Sequence, residues 1–181
     1  MKILNLPYQF NKIPTIGDGN CLLHSILRCC NKTYQTLDNH DKIKMARILR
    51  TDMGKILDLE INGKTFYKTL SRGELEEISK SIKQADIKYM QKYLYSCNWL
   101  DFTYLEYLSI LFNVNIIIIY NRTGGVYKTG DKELFFKKRN TIFIYYYDQA
   151  HFEAMSVETK DGQKTLFDYD TNIVQDIKKF L

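Results

Sequence analysis

Residues Asp101 to Tyr120 read DFTYLEYLSILFNVNIIIIY, and the hydrophobic period changes in mid-stretch. From Asp101 to Phe112 the apolar residues fall at helical spacing, with the Asp101 carboxylate placed to cap the first turn. From Val114 to Tyr120 the chain becomes an unbroken β-branched run, the pattern of a strand buried on both faces. Upstream of this switch the chain reads as helix, and downstream it reads largely as strand.

On the helical side, Leu22, Leu23, Ile26, Leu27 and Cys30 mark a first helix from about Cys21 to Cys30. A second spans about Asp38 to Leu57, with Asp38 or Asn39 as N-cap and Ile43, Ala46, Ile48 and Leu49 as its apolar face. SRGE at Ser71 to Glu74 has the form of a capping box and opens a third helix running to about Tyr95. On the other side the turn NRTGG is followed by VYKTG, then by NTIFIYYYD and HFEAMSVE, two strands expected to alternate between core and solvent. KDGQ, Lys160 to Gln163, reads as a turn into the tail, and the tail as a strand followed by a short helix. Helices first and strands afterwards predict an α+β domain, with helices packed on one sheet.

The 181 residues are 45% hydrophobic, and the two prolines both lie in the first 14 positions. With no Ser/Gly linker or repeat, this predicts a single domain over 1–181 with a core of about 14–158. The four cysteines show no spacing typical of a secreted disulfide framework, so a reducing compartment is expected. MKILNLPYQFNKIP lacks the apolar core and cleavage site of a secretory signal, and no run is long enough to span a membrane. A net charge of +5 favours an acidic partner, but the lysines are dispersed; a solvated surface is the simpler reading, and no specific nucleic-acid partner is expected.

One short stretch carries chemistry: GDGNCLLHSI, Gly17 to Ile26. A cysteine on the first residue of a helix meets unpaired backbone N–H groups and the positive end of the helix dipole, which favour thiolate. The backbone of Asp18, Gly19, Asn20 and Cys21 can direct the same kind of donor at an oxyanion, with the glycines supplying a tight turn. A thiol nucleophile needs a base, and there are three histidines. His24, three residues along the same helix, is expected on its outer wall, and His40 in the polar first turn of the next helix. His151, just before a strand, is the best base. Glu153, two positions on and on the same side of that strand, can orient the imidazole, and Asp18 is the alternative orienter. Cys21, His24, Cys29 and Cys30 match no zinc-ligand spacing, so no metal is expected, and Cys29, Cys30 and Cys97 are read as core thiols.

These blocks resemble the ovarian tumour (OTU) cysteine proteases, a family that includes otubains and viral and bacterial deubiquitinases. GDGNCLLHSI is similar to the family's Asp-Gly-Asn-Cys-Leu-aromatic nucleophile block, with Leu23 at the aromatic position. Trp99 to Tyr120 resembles its tryptophan, helix and strand segment, and HFEAM, His151 to Met155, its histidine block. The resemblance implies a papain-like α+β fold, helices around a small, mainly antiparallel sheet. It implies hydrolysis at the C-terminal glycine of ubiquitin or a ubiquitin-like modifier, without cofactor, by Cys21 and His151. Asp18 is counted among the catalytic residues in this family; the position two after the histidine is usually Asp or Asn there and is Glu153 here. Trp99 would line the channel for the modifier's tail, the alternative being a buried core aromatic. The third helix is a candidate grip for the folded modifier. A catalytically inactive ubiquitin-binding module of the same fold is the competing function. The Ile-, Lys-, Asn- and Tyr-rich composition is that of an AT-rich genome, such as a virus or an intracellular bacterium. A cytoplasmic location is expected, that of the host where the source is a virus or a bacterium, and a monomer is the favoured state.

Overall fold

In a computed structural model, residues 6–61, 64–65, 87–120, 126–128, 138–147 and 151–181 are described. The β-branched run forms β4 (Val114–Tyr120), next to one edge of a sheet of seven strands among the described residues. Its neighbours are β5 (Val126–Lys128), antiparallel, and β6 (Asn140–Tyr147), parallel and in register from Val114↔Asn140 to Tyr120↔Tyr146. Every other pairing in this sheet is antiparallel: β6 with β7 (His151–Thr159), β7 with β1 (Phe10–Ile13), β7 with β8 (Gly162–Lys164), and β6 with β9 (Leu166–Phe167). A separate two-stranded ribbon joins β2 (Glu60–Ile61) and β3 (Lys64–Thr65).

Alternate residues of each central strand enter different cores, because successive side chains leave opposite faces of a strand. Ile116, Ile118, Ile142, Ile144, Phe152 and Ala154 pack beneath α1 (Cys21–Cys30), α3 (Asn39–Leu57), α4 (Ile87–Tyr95) and α5 (Leu105–Leu111). Ile117, Ile119, Phe143, Tyr145, Met155 and Val157 pack on the other side against Phe10 and α6 (Asn172–Lys178), through Ile173, Val174 and Ile177. With both faces covered, β6 is buried from Thr141 to Tyr145 and β7 from Ala154 to Val157; the expected alternation survives only at the start of β7, where His151 and Glu153 are half-buried and Phe152 and Ala154 buried.

Other expectations are corrected. β1 was not foreseen: FNKI has no strand pattern of its own and is made one by its pairing with β7, Phe10↔Val157 to Ile13↔Ala154. A short α2 (Lys32–Thr36) follows α1, capped by the Asn31 side chain accepting from the Tyr34 amide at 2.8 Å. The KDGQ turn closes a β7–β8 hairpin, with Gly162 at φ +100. The helix after Asp101 opens as a 3-10 turn, Phe102–Tyr104, before α5 begins. The α3 face is also rotated from expectation. Its buried stripe is Ala46, Arg50, Met53, Gly54 and Leu57, whereas Ile48 is exposed. The Tyr107 hydroxyl donates to the Met53 carbonyl at 2.7 Å and so ties α5 to α3. Of the third helix only α4 is described; SRGE lies outside the described residues. No helix among the described residues is long and apolar enough to cross a membrane.

Candidate active site

Cys21 is the first residue of α1 and its side chain is 3% exposed. The helix is pinned on the sheet by Leu22, Leu23 and Ile26, all buried, so the rotation that seats these residues also turns the thiol inward. Asn20 precedes it as N-cap, without a side-chain capping bond, and its carbonyl accepts the His24 amide at 2.9 Å. Gly19 sits at φ +87, where a Cβ would stand 2.6 Å from the Cys97 carbonyl oxygen and 3.4 Å from the Trp99 ring. Only glycine fits both the left-handed backbone and that approach.

The Asp18 carboxylate folds the turn on itself. Its Oδ1 accepts the Asn20 backbone N–H at 3.0 Å, and its Oδ2 accepts the Asn20 side-chain amide at 3.1 Å. The Asn20 N–H is thereby occupied, which corrects its expected place among donors to an oxyanion. From α3, Arg50, 3% exposed, braces the turn from behind. Nη1 donates to Asn20 Oδ1 at 2.9 Å and to the Gly19 carbonyl at 3.4 Å. Nε donates to the Leu94 carbonyl at 2.9 Å, and Nη2 to those of Tyr93 and Asn98. Tyr93 and Leu94 end α4, so the guanidinium meets the negative end of that helix.

Burial pushes the Cys21 thiol up; the backbone amides of Phe152, Leu22 and Cys21 itself pull it down, and the Asp18 charge adds to the rise. The net direction is upward, opposite to the lowering expected from the helix dipole alone. The Phe152 amide acts on the sulfur, and Phe152 is the second residue of β7, the strand that opens with His151 and packs on α1. His151 is half-buried, paired with Tyr147 across the β6–β7 ladder, with ring centroids 6.0 Å apart.

The two carboxylates considered as orienters are engaged elsewhere. Glu153 Oε2 accepts the Tyr147 hydroxyl at 2.7 Å, and that hydroxyl accepts in turn from Lys12 Nζ at 2.5 Å. Asp18 Oδ1 accepts from His24 Nε2 at 3.0 Å. Among the described residues neither carboxylate is bonded to the His151 ring. His24 is not on an outer wall: it is 0% exposed, with Nδ1 2.7 Å from the Tyr34 hydroxyl. His40 is exposed. Trp99 is 55% exposed beside Gly19, which excludes the buried-aromatic alternative.

Cys29 is buried, its thiol raised by burial to about 12, and Cys30 is partly buried; Cys97 is exposed and does not belong to the core. Among the described residues no three His, Cys, Asp or Glu side chains are grouped to hold a metal ion. Arg50, Tyr34, Tyr147 and Lys12 were not foreseen. Arg50 carried a signal, since it falls four residues after Ala46 and three before Met53, inside a buried helical stripe.

Helices packed on a mainly antiparallel sheet, with a thiol leading a buried helix and a histidine opening a neighbouring strand, are the layout of a papain-like cysteine protease. The family model for OTU-like cysteine proteases matches residues 16–152, and the chain belongs to that family. The sequence matches no curated protein. Among solved structures, an OTU domain in complex with ubiquitin shares 16% identity at a TM-score of 0.60, covering 99% of this chain and 87% of that one. The viral OTU domain protease of Dera Ghazi Khan virus shares 15% at 0.53, covering 87% and 86%. The Hazara virus OTU bound to ubiquitin shares 12% at 0.50, covering 84% of each. At these identities the likeness is one of fold.

Proposed function

We propose that the chain is a thiol-dependent deubiquitinase that hydrolyses the isopeptide bond at the C-terminal glycine of ubiquitin, attached singly or in chains, or of a ubiquitin-like modifier. The observation that carries this reading is the Phe152 amide at the Cys21 sulfur, because it sets the strand that begins with His151 against the N-terminus of α1. On this reading Cys21 gives its proton to His151 as the substrate carbonyl arrives, and the sulfur attacks that carbonyl. Backbone amides at the helix start stabilise the tetrahedral oxyanion, each such donor contributing about 3 kcal/mol. His151 then protonates the leaving amine and activates the water that cleaves the thioester. Trp99, exposed beside Gly19, would flank the two-glycine tail. Ubiquitin is a partner found in eukaryotic cytoplasm, so the same reading places the enzyme at work there.

A second reading, a ubiquitin-binding module without turnover, is favoured by the buried thiol, pushed up by that burial, and by the two engaged carboxylates. One reagent separates them. Ubiquitin carrying a C-terminal electrophile should label wild type at Cys21 and leave Cys21→Ala unlabelled but able to bind ubiquitin. His151→Ala should lose turnover on every di-ubiquitin linkage. Ubiquitin binding by wild type without labelling or cleavage would select the inert module.

A further inference from the structure

The buried histidine on the nucleophile helix has no part in the chemistry just described, yet it is fully satisfied. A carboxylate only accepts hydrogen bonds, so the 3.0 Å contact with Asp18 Oδ1 requires the proton on His24 Nε2. In the neutral ring Nδ1 is then bare and accepts the Tyr34 hydroxyl at 2.7 Å. Burial lowers the pKa of His24, more than the Asp18 charge raises it, which keeps the ring in this neutral form. Three donors therefore converge on Asp18: the Asn20 N–H, the Asn20 side-chain amide and His24 Nε2–H. Asn20 is held in turn by Arg50.

We propose that His24, backed by Tyr34, is a positioning residue: it fixes Asp18, and through Asp18 the turn from which Cys21 enters its helix, so that Asp18 serves the turn and does not orient His151. This rests on the thiol-hydrolase reading given above. Loss of the His24 contact leaves Asp18 Oδ1 with the Asn20 N–H alone and loosens the turn that places the sulfur and its amides. Small displacements of reacting groups carry large rate costs. The charged and titratable groups facing the pair are Cys21 and Arg50 on the Asp18 side and Arg28 and Lys42 on the Tyr34 side.

The test uses the full chain, with active sites counted by the ubiquitin electrophile and turnover followed on a fluorogenic ubiquitin substrate. His24→Leu lowers kcat per counted site by roughly 10- to 100-fold, the range for groups that orient others, with KM little changed. His24→Gln, whose side-chain amide can donate to Asp18, recovers most of that loss. Added to Asp18→Ala, His24→Leu costs little more, since Asp18→Ala already removes the contact that His24 makes. Wild-type kcat in His24→Leu, or losses that multiply in the double variant, overturns the proposal. If His24→Leu does not fold, Tyr34→Phe reports on the same arrangement through a smaller fall in kcat, and wild-type kcat there overturns it equally. Carboxyl NMR adds a readout free of activity. The Asp18 titration moves to higher pH in His24→Gln or His24→Leu if the contact is as described, in the leucine variant most, and an unmoved midpoint in the leucine variant overturns it. A wild type that neither labels nor cleaves sinks the hydrolase reading, while the NMR midpoint still decides whether His24 holds Asp18.

Discussion

At Gly19 the whole site depends on a missing side chain. The backbone there is left-handed, φ +87, and the Cys97 carbonyl lies 2.6 Å from where a Cβ would stand. A non-glycine residue in that region costs about 1–2 kcal/mol before any clash. The carbonyl is backbone and cannot swing aside like a flexible side chain. Gly19→Ala should therefore lower stability in urea by about 2 kcal/mol or more, and lower turnover per folded molecule as well; an alanine variant with wild-type midpoint and rate would show that the turn is not held as described. Gly19 and Cys21 were legible in the sequence because what they do is local: a tight turn and the first residue of a helix. Glu153 was not. Its distance along the strand from His151 allowed a bond between them, but the hydroxyl that takes the carboxylate comes from Tyr147, on the neighbouring strand. Which residue lies across a ladder is a matter of register, and no single segment encodes it.

Among the elements, α3 does most to support the turn, since it carries Arg50 in its buried stripe. Its own start depends on Asp38, whose carboxylate accepts the Asp41 amide at 2.9 Å. Asp38→Ala should cost about 1 kcal/mol of stability, the usual worth of such a cap, and leave turnover per folded molecule unchanged. A denaturation midpoint equal to wild type would mean that the helix start is held by its packing alone. Both ends of this helix were legible, Asp38 as cap and Leu57 as last residue, because capping chemistry and apolar spacing are local signals. Its buried face was misread, because Ile48 looks like core and Arg50 does not. The face is chosen by what lies beneath it, the end of α4 and the Gly19–Asn20 turn, which offer carbonyl oxygens for a guanidinium. The strands divide in the same way. β4 announced itself by composition, whereas β1 is a strand only because β7 offers it an edge.

For the molecule as a whole, the groups displaced by burial lie on both sides of neutrality, and their signs set a stability window. On the acid side, the His24 pKa is lowered, first by burial. Folded His24 therefore refuses a proton that the unfolded chain takes up near pH 6.5, and stability falls as pH drops below about 6.5 toward the folded value. Asp18 continues the loss. Burial alone would raise it, but the bonds from Asn20 and the contact with His24 outweigh burial and lower its pKa, so its contribution is present above about pH 4 and disappears as pH falls through the folded value. On the alkaline side, burial raises Cys29 to about 12 and Cys30 to about 11, and Tyr34 to about 12. Unfolded thiols ionise near pH 8.5 and tyrosines near 10, so the folded state keeps protons that the unfolded chain releases, and stability declines as pH rises above about 8.5. Urea midpoints measured across the pH range should form a dome with its top between about pH 6.5 and 8.5. His24→Gln should flatten the first part of the acid slope, just below pH 6.5, while leaving the alkaline slope in place. A wild-type midpoint that rises on acidification below that point would contradict the burial of a neutral histidine behind the Cys21 turn. An acid slope unchanged in the glutamine variant would assign that slope to other groups and remove His24 from the account of the window.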